Sequence, residues 1–372
     1  MTFCIITHVH HSQSNGNYFG YAPYVNEMNI WIKNVDKVII VAPLKDMDKS
    51  AIHQNYNHKN ITFIAVPDFS LTSFKAVCKT FMYVPKILFS IYMAIKVSHH
   101  IHLRCPGNIG LLGCIIQIAF PKKKKSAKYA GNWDPKSKQP FSYRMQKWIL
   151  SNTFLTKNMQ VLVYGEWKNQ SKNVAPFFTA TYNENEKIDL LPRVLENTIQ
   201  FIFVGSLTKG KQPLYAVQLI KKLKEKGYNV KLLLFGEGNE SDTLNKYIKE
   251  NKLEDIAVLQ GNLNREELKG KYQNSHFLVL PSKSEGWPKV VAEAMFWGCV
   301  PVATKVSCIS TMLDFGNRGV LLSENIDNDV MQLEEICNNQ TEYNSKANLG
   351  MNWSRHYTLD LFESEITKIV QQ

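Results

Sequence analysis

The sequence lacks the features that mark secreted, membrane-spanning and zinc-binding proteins. Its seven cysteines among 372 residues occur singly, with no paired spacing that indicates zinc or a disulfide framework. No apolar run reaches the roughly 18 to 20 residues of a membrane-spanning helix. The first residues have no basic leader, long apolar core or small-residue cleavage site. We therefore expect a protein of a reducing cytoplasm.

Acidic residues are scarce in the first half of the chain. Residues 1–190 hold 23 Lys and Arg against 10 acids, a net charge of +13, whereas residues 191–372 hold 21 against 22. Ten basic residues and one acid lie within 101–150, including the lysine run 122–125. A polyanionic partner is implied. No signature of a nucleic-acid reader is present, which leaves anionic lipid headgroups or a solvated basic face without a partner.

The length and the hydrophobic pattern predict two α/β domains. A chain of 372 residues is long for one domain, and 44% hydrophobic with 20% charged residues is typical of soluble proteins. Short apolar strands alternate with amphipathic helices, which indicates parallel sheets covered on both faces. In the second half the predicted strands are 201–205, 230–235, 256–259, 277–280 and 300–303. In the first half they are 3–7, 38–41, 61–66, 101–103, 127–130 and 161–164.

The domain limits follow from a polar stretch at 183–187, which is typical of a linker. We place the first domain at 1–190 and the second at 191–352, followed by a helix within 353–372. Two apolar stretches, 81–97 and 109–120, are too short or too charged to span a membrane. They are better interpreted as core helices than as membrane contacts, although peripheral docking on an anionic leaflet remains a hypothesis.

One loop of the second half combines a helix start with two carboxylates. Open parallel sheets bind ligands beyond the carboxyl ends of their strands, and one such strand is followed by SKSEGWPKVVAEAM, in which Pro288 suits a first helical position. The free amides of Lys289 and Val290 would favour a phosphate. Glu285 and Glu293, the latter about 7 to 8 Å along the helix from Pro288, would reach sugar hydroxyls. On spacing alone, a Glu293 to Lys289 ion pair and a solvated Glu285 are equally good interpretations.

This loop resembles the E-x7-E signature of the family 4 retaining glycosyltransferases (glycosyl transferases group 1) of GT-B fold. Upstream, FVGSLTKGKQP and LLLFGEGNE resemble the family's phosphate-binding turn and its next glycine-rich loop. Downstream, WGCVPVAT and DFGNRGVLL lie where the family has a Gly-x-Pro-Val strand and a closing turn. The resemblance covers residues 198–325 well and the first half loosely. It implies an α/β GT-B fold, with two Rossmann-like doubly wound domains that face a central cleft. The first domain would bind the acceptor and the second the nucleotide sugar, and the helix within 353–372 would cross back to the first domain.

The resemblance also implies roles for individual residues. Glu285 would contact the donor sugar, Glu293 the ribose, and Lys211 would neutralise the donor diphosphate, so that Glu285 and Lys211 are the catalytic candidates. The other donor-binding candidates are Gly205, Ser206, Gly236, Gly286, Trp287, Pro288, Lys289 and Val290.

The chain departs from the family pattern in two places. Ser206 stands where the family usually has an arginine, so Lys211, with Lys209 or Lys289, must carry more of the positive charge. Ser307 and Cys308 replace a common Gly-Gly pair. The role of that second loop is therefore open.

Candidate acceptor contacts follow strands of the first half. They are His8, Gly20, Tyr21, Arg104, Asn132 and Asp134. Gly20 and Tyr21 belong to a polar loop that resembles the family's acceptor-side glycine loop. For Asn132 and Asp134 a turn or capping role is at least as good an interpretation. The histidines at 8–11 have no carboxylate or cysteine at metal-ligand spacing, so we expect no metal.

Together these features predict a retaining glycosyltransferase on the cytoplasmic face of a membrane. It would move a sugar from a UDP- or GDP-linked donor to a lipid-linked saccharide, in polysaccharide or glycolipid biosynthesis, with no cofactor besides the nucleotide sugar. A nucleotide-sugar epimerase, or a binding module without transfer activity, as Ser206 suggests, is the alternative. A nicotinamide-dependent dehydrogenase is disfavoured because no Gly-x-Gly-x-x-Gly follows the first strand.

Overall fold

The chain forms two compact units in a computed structural model, which describes residues 1–50, 52–68 and 74–371, and only the backbone of 74–82. The first unit is Met1–Phe178 with Glu363–Gln372, and the second is Thr179–Phe362. The division falls after Phe178 and not near residue 190, because Tyr182 packs against Phe296 and Trp297 of the second unit. Both units contain a parallel sheet covered by helices, which confirms the predicted α/β class.

The first unit contains a seven-stranded parallel sheet and a separate three-stranded antiparallel sheet. Its strands are β1 (Thr2–Ile6), β2 (His11–Ser14), β3 (Asn17–Tyr21), β4 (Lys37–Ala42), β5 (His53–Asn55), β6 (Ile61–Ala65), β7 (His100–Cys105), β8 (Lys124–Tyr129), β9 (Met159–Tyr164) and β10 (Val174–Phe177). Its helices are α1 (Ala22–Trp31), α2 (Phe74–Val97), α3 (Asn108–Ile116) and α4 (Phe141–Ser151). The parallel sheet has the order β10, β9, β8, β7, β1, β4, β6, and β2, β3 and β5 pair antiparallel.

Strand order determines which face each helix covers. The connections from β6 to β7, β7 to β8 and β8 to β9 all cross the sheet in one direction, whereas that from β1 to β4 runs the other way. Since such crossovers are right-handed, α2, α3 and α4 cover one face and α1 the opposite one. Ile87, Ile91 and Ile95 of α2 are fully buried at helical spacing. The core of the first unit therefore lies between this helix layer and the sheet.

The second unit has one parallel sheet, in the order β13, β12, β11, β14, β15, β16. The strands are β11 (Ile199–Val204), β12 (Val230–Phe235), β13 (Ala257–Gly261), β14 (Phe277–Leu280), β15 (Val300–Thr304) and β16 (Val320–Leu322). The helices are α5 (Pro213–Glu225), α6 (Ser241–Glu250), α7 (Arg265–Gln273), α8 (Lys289–Phe296), α9 (Ile309–Met312), α10 (Ile326–Cys337) and α11 (Gln340–Ser354). The last helix, α12 (Leu359–Gln371), begins in the second unit and belongs to the first unit from Glu363 onward. The order places the carboxyl ends of β12, β11, β14 and β15 side by side.

Three segments differ from the sequence prediction. The expected polar loop after His8 contains β2 and β3, because Phe19 is buried and the strands pair from His11 to Tyr21. The expected linker at 183–187 contains a short 3-10 turn, in which Glu186 accepts a hydrogen bond from Lys269 at 3.0 Å. The expected final helix is divided between α11 and α12, which are separated by residues 355–358.

The lysine run at 122–125 is not one basic surface. Lys122 and Lys124 are exposed, while Lys123 donates to backbone carbonyls at the end of α2. Lys125 is buried and donates to the side-chain carbonyl of Gln117 at 2.8 Å. Burial lowers the pKa of Lys125 to about 8. Since side chains alternate along a strand, Lys124 and Lys125 point to opposite faces of the sheet at the start of β8.

Candidate functional site

The loops that follow neighbouring strands of the second unit are bonded to one another. The Lys283 amide, after β14, donates to the Gly210 carbonyl, after β11, at 2.9 Å. Ser307, after β15, donates its hydroxyl to the Gly286 carbonyl at 3.1 Å. These loops lie at the ligand-binding edge of a parallel sheet. We call residues 205–212, 236–240, 281–290 and 305–308 the strand-end site.

Glu285 and Lys211, the two catalytic candidates, form an ion pair in the strand-end site. The Lys211 Nζ lies 2.5 Å from Glu285 Oε1. The Glu285 side chain is 8% exposed and that of Lys211 is 29% exposed. A tight turn positions the lysine, since the amides of Lys211 and Gln212 both donate to the Thr208 carbonyl. The pair joins an acid after β14 to a cation after β11, as a charge-assisted hydrogen bond.

Glycines allow the loops after β11 and β12 to pack backbone against backbone. A Cβ at Gly236, whose φ is +137°, would lie 1.9 Å from the Gly205 carbonyl oxygen. A Cβ at Gly238 would lie 2.2 Å from the Leu207 carbonyl oxygen. No side chain fits at either position. Ser206 is exposed beside this contact.

The start of α8 offers fewer free amides than the sequence suggests. Pro288 is the N-cap, and not the first helical residue, because its ψ of 84° lies outside the helical range. The Lys289 amide, expected to be free, donates to the Trp287 carbonyl at 2.9 Å. The Val291 amide donates to the Pro288 carbonyl. Among the described residues no partner bonds the Val290 amide, so one of the two predicted phosphate donors is available.

Glu293 is held by two hydroxyl groups. Its Oε1 accepts from Thr181 at 2.7 Å, and its Oε2 accepts from Tyr272 at 3.0 Å. Burial, with the nearby Glu293 charge, raises the pKa of Tyr272 well above its usual value, so the phenol remains a donor. The half-buried carboxylate keeps a lone pair on each oxygen for a ligand hydroxyl. Its contact with a ribose stays a prediction.

Ser307 and Cys308 anchor the loop that carries Glu285. The Cys308 thiol donates to the Gly286 carbonyl at 3.3 Å, beside the bond from Ser307. Burial raises the pKa of Cys308 to about 12, which keeps it a thiol. Ser307 adopts a φ of +51°, a conformation that glycine adopts without strain. The sequence signal was the replacement of a Gly-Gly pair by two hydrogen-bond donors.

Trp287 belongs to an aromatic cluster of the second unit. Its ring centroid lies 6.2 Å from that of Trp353 and 6.0 Å from that of Tyr357. The Arg318 guanidinium lies 5.3 Å from the Trp353 ring centroid. This packing holds the loop before α8 against the end of α11.

Arg104, a candidate acceptor contact, is engaged in a buried ion cluster of the first unit. Its guanidinium donates to both carboxylate oxygens of Glu27 on α1. The Lys128 ammonium lies 3.2 Å from the same carboxylate. The Glu27 charge raises the pKa of Arg104 against the effect of its burial. Arg104 therefore has a structural role that the sequence analysis missed; the available signal was an acid within the apolar face of α1.

The other acceptor candidates do not share one environment. His8 is exposed after β1, and its ring occupies the space beside Gly107, where a Cβ would lie 2.3 Å from Nδ1. Gly20 and Tyr21 lie in β3 and not in a loop, with Tyr21 exposed.

Asn132 and Asp134 form the turn that was the alternative interpretation. Asn132 Oδ1 accepts from the Asp134 amide at 2.9 Å, and Asp134 Oδ1 accepts from the Lys136 amide at 2.8 Å. An acceptor role for either remains a prediction. Within the described ranges, no cluster of histidine, cysteine and carboxylate side chains is arranged to hold a metal ion.

Comparison with known proteins bears on the second half of the chain. Residues 188–352 match the family model described as "Glycosyl transferases group 1". This segment is similar to the group 1 glycosyl transferases. It contains Glu285, Glu293 and Lys211.

Three curated relatives carry the name glycosyltransferase. An uncharacterized glycosyltransferase of Methanocaldococcus jannaschii is 26% identical over 172 residues, 46% of this chain and 47% of its own length. A D-inositol 3-phosphate glycosyltransferase of Pseudarthrobacter chlorophenolicus is 26% identical over 34% of this chain and 31% of its own. A glycosyltransferase of Escherichia coli K12, whose name places it in colanic acid biosynthesis, is 29% identical over 34% of this chain and 33% of its own. The matches thus span half or less of the relatives' length.

Solved structures share the fold over the whole chain. Sucrose-phosphate synthase from Thermosynechococcus elongatus has a TM-score of 0.69 at 16% identity, covering 100% of this chain and 98% of that one. Anabaena HepE, solved with UDP and glucose, has a TM-score of 0.66 at 13% identity, covering 100% and 99%. These likenesses confirm the predicted GT-B fold.

Proposed function

We propose that the chain is a retaining glycosyltransferase of family 4 that transfers a hexose from a UDP- or GDP-linked donor to a lipid-linked saccharide. The observation that carries the proposal is the Lys211 to Glu285 pair, which joins two strand-end loops within the segment that matches the group 1 family model. A cation beside a carboxylate suits a ligand with a phosphate group next to a sugar. The complex of HepE with UDP and glucose supports a nucleotide-sugar donor.

Each group of the strand-end site then has a chemical task. Lys211, with the Val290 amide, would neutralise the charge that develops on the leaving diphosphate. Glu285 would accept hydrogen bonds from the donor sugar, and Glu293 from the ribose. The acceptor hydroxyl oxygen bonds to the anomeric carbon while the bond from that carbon to the phosphate oxygen breaks. The hydroxyl proton passes to the leaving phosphate, and the anomeric configuration is retained.

The nature of the acceptor is inferred from charge and from relatives. The first half of the chain carries a net charge of +13, which favours an acceptor with a pyrophosphate or an anionic surface nearby. The name of the E. coli relative supports polysaccharide synthesis. We place the reaction at the cytoplasmic face of a membrane, without a metal or other cofactor.

A transfer assay with radiolabelled UDP- and GDP-sugars and a membrane lipid extract tests the proposal. Transfer by the native chain, lost in Glu285→Gln and kept in the exposed control Glu254→Gln, is the expected result. NMR of the product should show the donor's anomeric configuration. Full transfer by Glu285→Gln would reject the site. Donor conversion without an acceptor would indicate an epimerase, and donor binding without any turnover would indicate a binding module.

A further inference from the structure

The outer face of the helix layer in the first unit is both apolar and basic. α3 packs against α2 on one side and α4 on the other, and all three cover the same face of the sheet. We call their solvent-facing side, with the segments that follow α3 and α4, the outer helix face. Its large exposed apolar side chains are Phe89, Tyr92, Met93, Val97, Ile115, Phe141, Trp148 and Phe154.

α2 is apolar on two sides. Ile87, Ile91 and Ile95 pack into the core, as an amphipathic helix requires. The solvent side would ordinarily be polar, yet Phe89 is 66% exposed and Val97 is 59% exposed. With Tyr92 and Met93 they recur at spacings of three and four residues and form one stripe. A stripe of this kind on a soluble protein marks an interaction surface.

Basic residues interleave with these apolar side chains. They are Lys86, Lys96, Lys122, Arg144 and Lys157, all exposed. In the part of the chain that the structure describes, none of them forms a salt bridge to a carboxylate. Between residues 69 and 165 the sequence contains one acid, Asp134. The outer helix face therefore carries an uncompensated positive charge.

The same pattern recurs around α4. Phe141, Arg144 and Trp148 are exposed at spacings of three and four residues. The Lys157 ammonium lies 5.1 Å from the ring centroid of Phe154, which is 76% exposed. Apolar rings flanked by long cationic side chains suit the boundary between headgroups and acyl chains, where the rings enter the apolar region and the cations remain in water.

We propose that the outer helix face docks on the surface of a bilayer that contains anionic phospholipid. Such a bilayer satisfies both features, since lipid phosphates attract the cations and the acyl boundary takes up the apolar side chains. A nucleic acid would satisfy the charge but would leave Met93 and Val97 in water. Among the described residues no helix could span a membrane. The docking inference stands independently of the proposed reaction; only a link to a lipid-linked acceptor rests on it.

Co-sedimentation of the full chain with vesicles of phosphatidylcholine, with and without phosphatidylglycerol, tests the proposal. Two variants separate the contributions: the charge variant Lys86→Gln, Lys96→Gln, Lys122→Gln, Arg144→Gln, and the apolar variant Phe89→Ser, Met93→Ser. Phe315→Ser and Lys246→Gln are matched controls, because both residues are exposed in the second unit. We expect binding to phosphatidylglycerol vesicles to fall about tenfold or more in the charge variant. It should fall several-fold in the apolar variant and stay unchanged in the controls.

Two further measurements keep the test independent of folding and of activity. Quenching of tryptophan fluorescence by brominated lipid should be weaker in Trp148→Phe. The thermal shift that UDP produces should be the same in the charge variant and the native chain, because the strand-end site is untouched. Absence of native binding to anionic vesicles, or equal binding by the charge variant, overturns the proposal. So does binding to RNA without binding to vesicles. Failure of donor transfer alone leaves the docking result intact.

Discussion

Replacing Lys211 with methionine tests the strand-end site most directly. The change removes a charge that lies 2.5 Å from Glu285 and keeps most of the side-chain volume. Removal of one donor that stabilises developing negative charge, as in the oxyanion hole of a protease, lowers kcat by about 10²–10³-fold. Because Ser206 leaves Lys211 as the main cation of the turn after β11, we expect a loss at the upper end of that range.

The same variant should lose little stability. A hydrogen bond between charged groups contributes about 1.5–3 kcal/mol when buried. Lys211 is 29% exposed, so water can solvate part of the carboxylate once the lysine is gone. We therefore expect a loss of about 1 kcal/mol in the free energy of unfolding of the second unit.

The assay combines initial transfer rates at saturating donor with urea unfolding. Lys209→Met is the control, since Lys209 is exposed in the same turn. A double-mutant cycle with Glu285→Gln should be strongly non-additive in kcat, as expected of residues that act together. A Lys211→Met enzyme with a kcat within about threefold of native, whatever its stability, would refute the assignment of transition-state stabilisation to this lysine.

Three other predictions concern stability and positioning. Burial lowers the pKa of His100 to about 4 from an ordinary 6.5, so the folded state stays neutral while the unfolded chain takes up a proton. This group alone should lower the free energy of unfolding by about 3 kcal/mol between pH 6.5 and 4. Urea unfolding of His100→Gln should show the acid-induced loss reduced by that amount, since buried His11 and His102 also have lowered pKa values, and His99→Gln should show it unchanged. Arg193 donates to four backbone carbonyls at the ends of α7 and α8, so Arg193→Met should cost about 2–3 kcal/mol in thermal unfolding, and an unchanged Tm would contradict this. Tyr272→Phe should weaken nucleotide affinity several-fold in calorimetry and leave kcat unchanged, because Glu293 loses one of the two hydroxyl donors that position it. A loss of kcat without a loss of affinity would contradict this prediction.

Hydrophobic periodicity predicted the parallel sheets because their strands are continuous apolar runs. β11, β12, β14 and β15 lie within a few residues of their predicted limits. β2 and β3 were missed since their residues are mostly polar, and an antiparallel sheet with one buried aromatic, Phe19, produces little apolar signal. The break between α11 and α12 was missed because the amphipathic pattern continues across it.

Motif spacing predicted which residues of the strand-end site would meet, but not how they bond. The family resemblance assigned Lys211 and Glu285 to the donor, but it did not predict their ion pair, which depends on two loops far apart in sequence. The bond from the Lys289 amide to Trp287 could not be foreseen, because it follows from the ψ angle of Pro288. Glu27 within the apolar face of α1 indicated a buried acid, but its partner Arg104 could not be foreseen, since α1 and β7 are brought together only by the sheet order.

The contact between Gly236 and the Gly205 carbonyl limits how this site can diverge in evolution. A methyl group at residue 236 would have to displace a main-chain oxygen. Substitutions there should therefore disrupt the loops after β11 and β12 together. Neighbouring Ser206, whose side chain points to water, is under no such restriction. A change of donor preference can therefore arise by substitution of exposed side chains on these loops, while the backbone of the loops and the sheet stay the same.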